Sequence, residues 1–288
     1  MKSKFSISLH LMMAFLFVGS CAIAQQINTP APSPGSELNQ KVGLVDITIE
    51  YSRPGKKGRE IYGDLVPFGE MWRTGANAAT KFSISDDIQI NDKTLPEGTY
   101  ALLTVPGEDE WKINFYIYES ASWPTYADMT PVLTTTVTPK KIDNTVETFT
   151  IDVNNIRNEG ATLDLAWENT LVSIPFSVNT KEKVMAQINQ FAKNPEMGLS
   201  NAYYNAASYM LQEKENLELA LDFASKAADL RPNAYWIKRT EALLLAEMKK
   251  YDEAIKAAEK SKELAEKAGN QQYVNMNEYS IKGWKKMK

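Results

Sequence analysis

The sequence predicts an α+β chain of more than one domain: an antiparallel β-sandwich or jelly-roll-like domain over residues 40–179, followed by an array of α-helical hairpins. Three observations predict it. Roughly nine short segments with strand alternation or strand composition succeed one another without an intervening helical period. At Asn179-Thr180 the period changes to that of amphipathic helices and stays there. Within the helical part a pattern of apolar and small residues returns after 34 residues.

The chain has 288 residues, 43% hydrophobic and 24% charged, values ordinary for a soluble globular protein. Residues 1–24 read as a secretory signal peptide: Lys2 and Lys4, an apolar run from Leu9 to Val18, then Ala22-Ile23-Ala24 before Gln25. The same leader has a second reading, because Val18-Gly19-Ser20-Cys21 resembles the lipobox of bacterial lipoproteins. The expected location is therefore the periplasm or the extracellular space, or the outer membrane with Cys21 as the lipid anchor. Residues 25–39, rich in Pro and Ser, read as a flexible linker. No later stretch approaches the length of a transmembrane helix.

His10 and Cys21 are the only His and Cys, and cleavage after Ala24 removes both. A mature chain without them has no Ser-His-Asp or Cys-His nucleophile, no His or Cys metal site and no disulfide. Losing Lys2 and Lys4 as well leaves 30 basic against 36 acidic residues, a net of −6, which argues against nucleic acid as partner. No cofactor is expected.

From Leu44 to Tyr51, Val45, Ile47, Ile49 and Tyr51 alternate with Asp46, Thr48 and Glu50, as in a half-buried strand. Ser52 to Thr80 has no period and concentrates Gly, Pro, Arg and Trp, so it reads as a long structured loop. Further strands are expected over 81–85, 88–90, 99–105, 111–118, 132–138, 145–153, 162–168 and 171–178, with Asn169-Thr170 as a tight turn between the last two. Ser122 to Tyr126 reads as a second loop with aromatic content. Asp86-Asp87 beside Asn91-Asp92 lacks the ligand ladder of a calcium loop.

A connecting helix is expected over 180–196, capped by Thr180 and ended by Pro195. Residues 197–288 then form the repeat region. Leu219-Ala220-Leu221 with Ala224 and Ala227 returns as Glu253-Ala254-Ile255 with Ala258 and Ser261. Spacing and pattern resemble the tetratricopeptide repeat, with copies at 201–234 and 235–268 and a capping helix from Asn270. Ala207-Ser208 and Glu241-Ala242 depart from the Leu-Gly that the repeat favours, and Glu266 from its Pro.

The candidate ligand-binding residues lie in the long loop: Arg53, Arg59, Trp72, Arg73, Asn77 and Thr80. Arginine forks, an amide and backbone N–H groups around Gly75 suit a carboxylate, sulfate, phosphate or sugar hydroxyl, with Trp72 as a stacking face. The competing reading makes them scaffold, with Arg59 and Arg73 paired to Glu50, Glu60, Asp64 or Glu70 and Trp72 filling the core. Catalysis would fall to carboxylates such as Glu50, Asp64 and Glu70, whose separation the sequence does not fix.

The run YSRPGKKGREIYGDLVPFGEMWRTGANAATKF, with LPEGTYALLTVP and the Trp111 strand, resembles domain of unknown function 2911 over about 42–178. The resemblance implies an exported bacterial β domain, sometimes followed by tetratricopeptide-like helices, and no established activity. Three functions stay open: a binding module for a small anionic or sugar-like ligand or, through the helices, a protein partner; a carboxylate-based hydrolase of glycans or esters; or a purely structural scaffold.

Overall fold

The computed structural model describes residues 28–194 and 199–287. The leader with both its cleavage readings, Cys21 and Pro195 lie outside the described residues. Ten strands come first: β1 (Gly35–Val42), β2 (Val45–Ser52), β3 (Thr80–Ile84), β4 (Ile88–Ile90), β5 (Lys93–Leu95), β6 (Gly98–Val105), β7 (Trp111–Ile117), β8 (Leu133–Val137), β9 (Lys140–Arg157) and β10 (Gly160–Val178). They form a six-stranded sheet, β1-β2-β3-β6-β7-β8, and a four-stranded sheet, β5-β4-β10-β9. Every strand pair is antiparallel.

One apolar core joins the sheets. Ile47, Ile49, Phe82 and Phe115 of the larger sheet share it with Phe149, Leu163, Trp167 and Ile174 of the smaller. Alternation along each strand places these residues on one face. The opposite face of β6 and β7 carries Ala101, Leu103 and Tyr116, which pack with the connection between β7 and β8 in a smaller cluster around Tyr126.

Three sequence expectations are corrected here. Residues 35–39, assigned to the linker, belong to β1, an edge strand whose side chains alternate between exposed and half-buried positions. Its few apolar side chains gave no periodic signal, and β2 holds it by backbone pairing, a Thr48–Asn39 hydrogen bond of 2.7 Å and a Lys41–Asp46 ion pair of 2.6 Å. Asn169-Thr170 is not a turn, since β10 runs unbroken through it. Glu168 has φ +52° and the register against β9 shifts on both sides of it, so the polar residues mark a β-bulge. The segment after Ser122 contains a 3₁₀ turn at Trp123–Tyr126. Asn179 rather than Thr180 precedes the first helix, and the buried Thr180 hydroxyl has no hydrogen-bond partner.

Among the described residues six α-helices follow: α1 (Thr180–Lys193), α2 (Ser200–Glu213), α3 (Leu217–Leu230), α4 (Tyr235–Glu247), α5 (Tyr251–Lys267) and α6 (Gln271–Trp284). From α2 onward each packs on the next, and α2 touches α4 as α4 touches α6. Ala220, Ala224, Ala227, Ala254 and Ala258 are fully buried where the helices approach. Ser200 donates to the Ala227 carbonyl at 3.0 Å and Ser261 to the Tyr235 carbonyl at 2.7 Å, so both helix pairs are pinned at the same end. None of the helices is long and apolar enough to cross a membrane.

The junction between sheets and helices is polar and close. Lys181 pairs with Glu215 at 2.6 Å, Asn158 donates to Glu213 at 3.1 Å, and Lys183 pairs with Asp86. Lys183 holds the Asp86 carboxyl below its usual range, which accounts for the acidic pair once considered for calcium. Gly43 turns the β1–β2 hairpin at φ +56°, where a Cβ would lie 1.8 Å from the Thr180 hydroxyl and 2.5 Å from the Asn158 carbonyl. Only a glycine lets the hairpin reach the start of α1.

Candidate functional site

The loop between β2 and β3 is tied down along its whole course. Arg53 donates through Nε to the Phe149 carbonyl at 3.0 Å and through Nη2 to the Thr150 hydroxyl at 2.7 Å. Phe149 N–H donates to the Pro54 carbonyl at 2.9 Å and Lys56 N–H to the Glu147 carbonyl at 2.7 Å. The Tyr51 hydroxyl accepts from Ile151 N–H at 2.9 Å. These groups occupy the open edge of β9, where an unpaired strand would otherwise invite another chain. Arg53 is therefore an edge tie.

The next turn carries Arg59, whose Nε and Nη2 donate to the carbonyls of Lys56 at 3.0 Å and Gly55 at 2.6 Å. Lys56 reaches Glu168 on β10 at 3.1 Å. The loop then crosses the core. Trp72 exchanges backbone hydrogen bonds with Thr104 at 2.7 and 2.9 Å, and its indole N–H donates to the Gly75 carbonyl at 3.1 Å. Its ring stacks on Trp167 with centroids 6.0 Å apart and planes at 15°, beside Phe149 at 5.0 Å. With 8% exposure, Trp72 is a core side chain and leaves little face for a ligand. Tyr62 meets the same cluster at Trp111, 4.9 Å away, and burial, with Glu168 second, pushes its phenol well above the usual range.

After Trp72 the backbone makes its tightest passage. Thr74 is fully buried at φ +55°, a conformation costly for a β-branched residue. The Thr80 hydroxyl holds it by donating to the Thr74 carbonyl at 2.6 Å, and Thr80 N–H donates to the Arg73 carbonyl at 3.2 Å. Gly75 follows at φ +150°, where a Cβ would lie 2.9 Å from the Ser52 carbonyl. Thr80, itself fully buried, is a pin for this turn. Asn77 donates to the Ser33 carbonyl and the Ser52 hydroxyl, each at 3.2 Å, and so straps the segment before β1 to the loop.

These ties shape an open cavity of about 430 Å³ whose lining includes Arg59, Glu70, Trp72, Arg73, Asn77 and Trp123. Of the six sequence candidates the structure brings Arg59, Trp72, Arg73 and Asn77 to this cavity. Arg53 and Thr80 are absent from its lining. Arg73 is half-buried, its guanidinium 5.8 Å from the Trp123 ring centroid and its Nε buried with no hydrogen-bond partner. Among the described residues no arginine of the loop forms the ion pairs that the scaffold reading expected, and Glu50 pairs with Lys81 at 2.7 Å instead. Of Glu50, Asp64 and Glu70, only Glu70 belongs to the cavity lining.

Sequence reasoning missed Trp123 as a wall. Its only signal was the aromatic content of the connection between β7 and β8. Tyr126 anchors that connection by accepting from Glu119 and Ser120 N–H at 3.1 and 2.9 Å. Ala79 N–H donates to the Ala121 carbonyl at 2.9 Å, which joins the two loops beside the cavity. Ser33 and Trp167, also at the cavity, carried no signal that local pattern could supply.

A family model described as a protein of unknown function, DUF2911, matches residues 33–176, half of the chain. The chain belongs to the DUF2911 family. The matched span contains all of the two-sheet part but its last two residues, and every residue of the cavity. Against curated proteins and against solved structures, nothing matches this DUF2911 chain.

Proposed function

We propose that the protein is an exported, non-enzymatic binding protein that holds a small anionic ligand in the cavity between Arg59, Arg73 and Trp123. One observation carries this reading: the Arg73 guanidinium lies half-buried at an open cavity, over an aromatic face, and among the described residues it has no ion pair and no acceptor for its Nε. A buried donor without a partner is costly, and a planar fork is well matched to a carboxylate. The cavity volume falls within the range of small-ligand sites. A lining with one carboxylate, among the described residues, favours binding over two-carboxylate hydrolysis. The charged, apolar-cored leader supports export.

For the helical part we infer a tetratricopeptide-like array. The 34-residue return, the buried alanines at matched positions and the contacts of α2 with α4 and α4 with α6 support it.

Thermal unfolding of the full chain with benzoate, citrate or sulfate tests the anion reading. A ligand at about a hundred times its Kd stabilises by about 2.7 kcal/mol, and Arg73→Lys should cut that shift. If no anion raises Tm, or if Arg73→Lys leaves the shift intact, the cavity is not an anion site.

A further inference from the structure

The cavity's hydrogen-bonding inventory is more selective than a bare positive patch. No side-chain hydrogen bond or ion pair engages the Arg73 guanidinium among the described residues; its Nε is buried, so the Nη groups are what it can offer the cavity. Arg59 has spent its Nε–H and one Nη2 N–H on the Lys56 and Gly55 carbonyls, which leaves Nη1 and the second Nη2 N–H. Both are donors only. The acceptors at the same cavity are the exposed Glu70 carboxylate, which forms no ion pair among the described residues, and the Asn77 Oδ1. Asn77 uses its amide N–H groups on Ser33 and Ser52, so the oxygen is what it has left to offer.

This inventory rules on ligand type. A ligand made only of carboxylates would satisfy Arg73 but bring no donor for Glu70 or Asn77. A neutral sugar would satisfy Glu70 and Asn77 but leave the Arg73 fork without an anion. Both demands are met by one molecule that carries a carboxylate at one end and hydroxyl donors at the other. The half-buried Trp123 ring lines the same cavity with its face toward the Arg73 guanidinium.

We infer that the ligand class of this pocket is a sugar acid: a ring carrying one carboxylate, bound by the Arg73 fork, and several hydroxyls that donate to Glu70 and Asn77. This assignment rests on the anion-binding reading and narrows it. It also fixes how one substitution changes a ratio. Replacing Glu70 by Gln removes a charge that repels either carboxylate, yet weakens the acceptor for hydroxyls that only the sugar acid carries.

The test is titration calorimetry of the full chain with D-glucuronate, D-glucose, benzoate and glycine. Wild-type protein should bind glucuronate at least about tenfold more tightly than the other three. Glu70→Gln should lower the preference for glucuronate over benzoate about three- to tenfold, a change of ratio that a loss of folding could not produce. Arg73→Lys should weaken both, since the ammonium keeps the charge and loses the fork. Glu70 is exposed and unpaired, so its variant is expected to fold, and the four-ligand comparison on wild-type protein needs no variant. If Glu70→Gln leaves the ratio of glucuronate to benzoate affinity unchanged or raises it, or if glycine or benzoate outbinds glucuronate, the sugar-acid assignment is overturned. Anion binding still stands in that case when Arg73→Lys weakens benzoate. If Arg73→Lys weakens nothing, both fall together.

Discussion

Replacing Thr80 by Val tests whether this candidate residue is a pin or a ligand contact. The side chains have the same shape, so the change removes a hydroxyl and leaves volume almost intact. Thr80 is fully buried and its hydroxyl donates at 2.6 Å to the carbonyl of Thr74, which is also fully buried at φ +55°. Without that donor the carbonyl is left in an interior with no replacement, at a cost of about 1–3 kcal/mol. The strained Thr74 loses the contact that holds it in the left-handed region, which pushes the cost away from the lower end. We expect a loss of about 2 kcal/mol and a fall in Tm of about 4–8 °C for a domain of this size. Urea unfolding followed by tryptophan fluorescence reads it, because Trp72, Trp111 and Trp167 all lie in the core beside this turn. A change below about 0.5 kcal/mol would refute the assignment of Thr80 as a structural tie.

Arg53→Ala should destabilise the chain by about 1–3 kcal/mol and raise its tendency to self-associate, because two hydrogen bonds that close the β9 edge vanish; an unchanged denaturation midpoint in a monodisperse sample would contradict this. Gly43→Ala places a Cβ 1.8 Å from the Thr180 hydroxyl and 2.5 Å from the Asn158 carbonyl. A loss of at least about 2 kcal/mol is expected, with altered amide chemical shifts at the start of α1, and a neutral effect would mean that the hairpin does not abut the helix. Glu263 sits between Lys260 and Lys267, at 2.9 and 2.6 Å, and the Lys267 hydrogen bond, then that of Lys260, lowers its carboxyl to about 2. Its contribution to stability is present above the ordinary value of 4.5 and is lost as pH falls from there through about 2. A carboxyl titration by NMR with a midpoint near 4.5 would show the two lysines to be unengaged.

The order of strands and then helices was legible because each segment carries its own period. Val45 to Tyr51 alternates, and Ala220, Ala224 and Ala227 recur at helical spacing whatever surrounds them. β1 was illegible for the opposite reason: its side chains form no apolar face, and its existence depends on the backbone of β2. Asn169-Thr170 carries turn chemistry, but a bulge uses the same positive φ, and only pairing with β9 distinguishes the two. Within the loop, donor-rich composition marked a stretch that supplies much of the cavity lining. It could not say that Arg53 faces an edge strand while Arg73 faces a cavity, since both follow from which distant strand passes nearby.

Sequence alone thus determined the two-part architecture and the recognisable loop. Those depend on residue identity and local period. Tertiary structure decided the roles. It buried Trp72, turned Thr80 into a pin, and brought Trp123 from more than forty residues downstream to face an arginine without an anion. A side chain's partner is set by chain segments that are remote in sequence, and no local pattern encodes it.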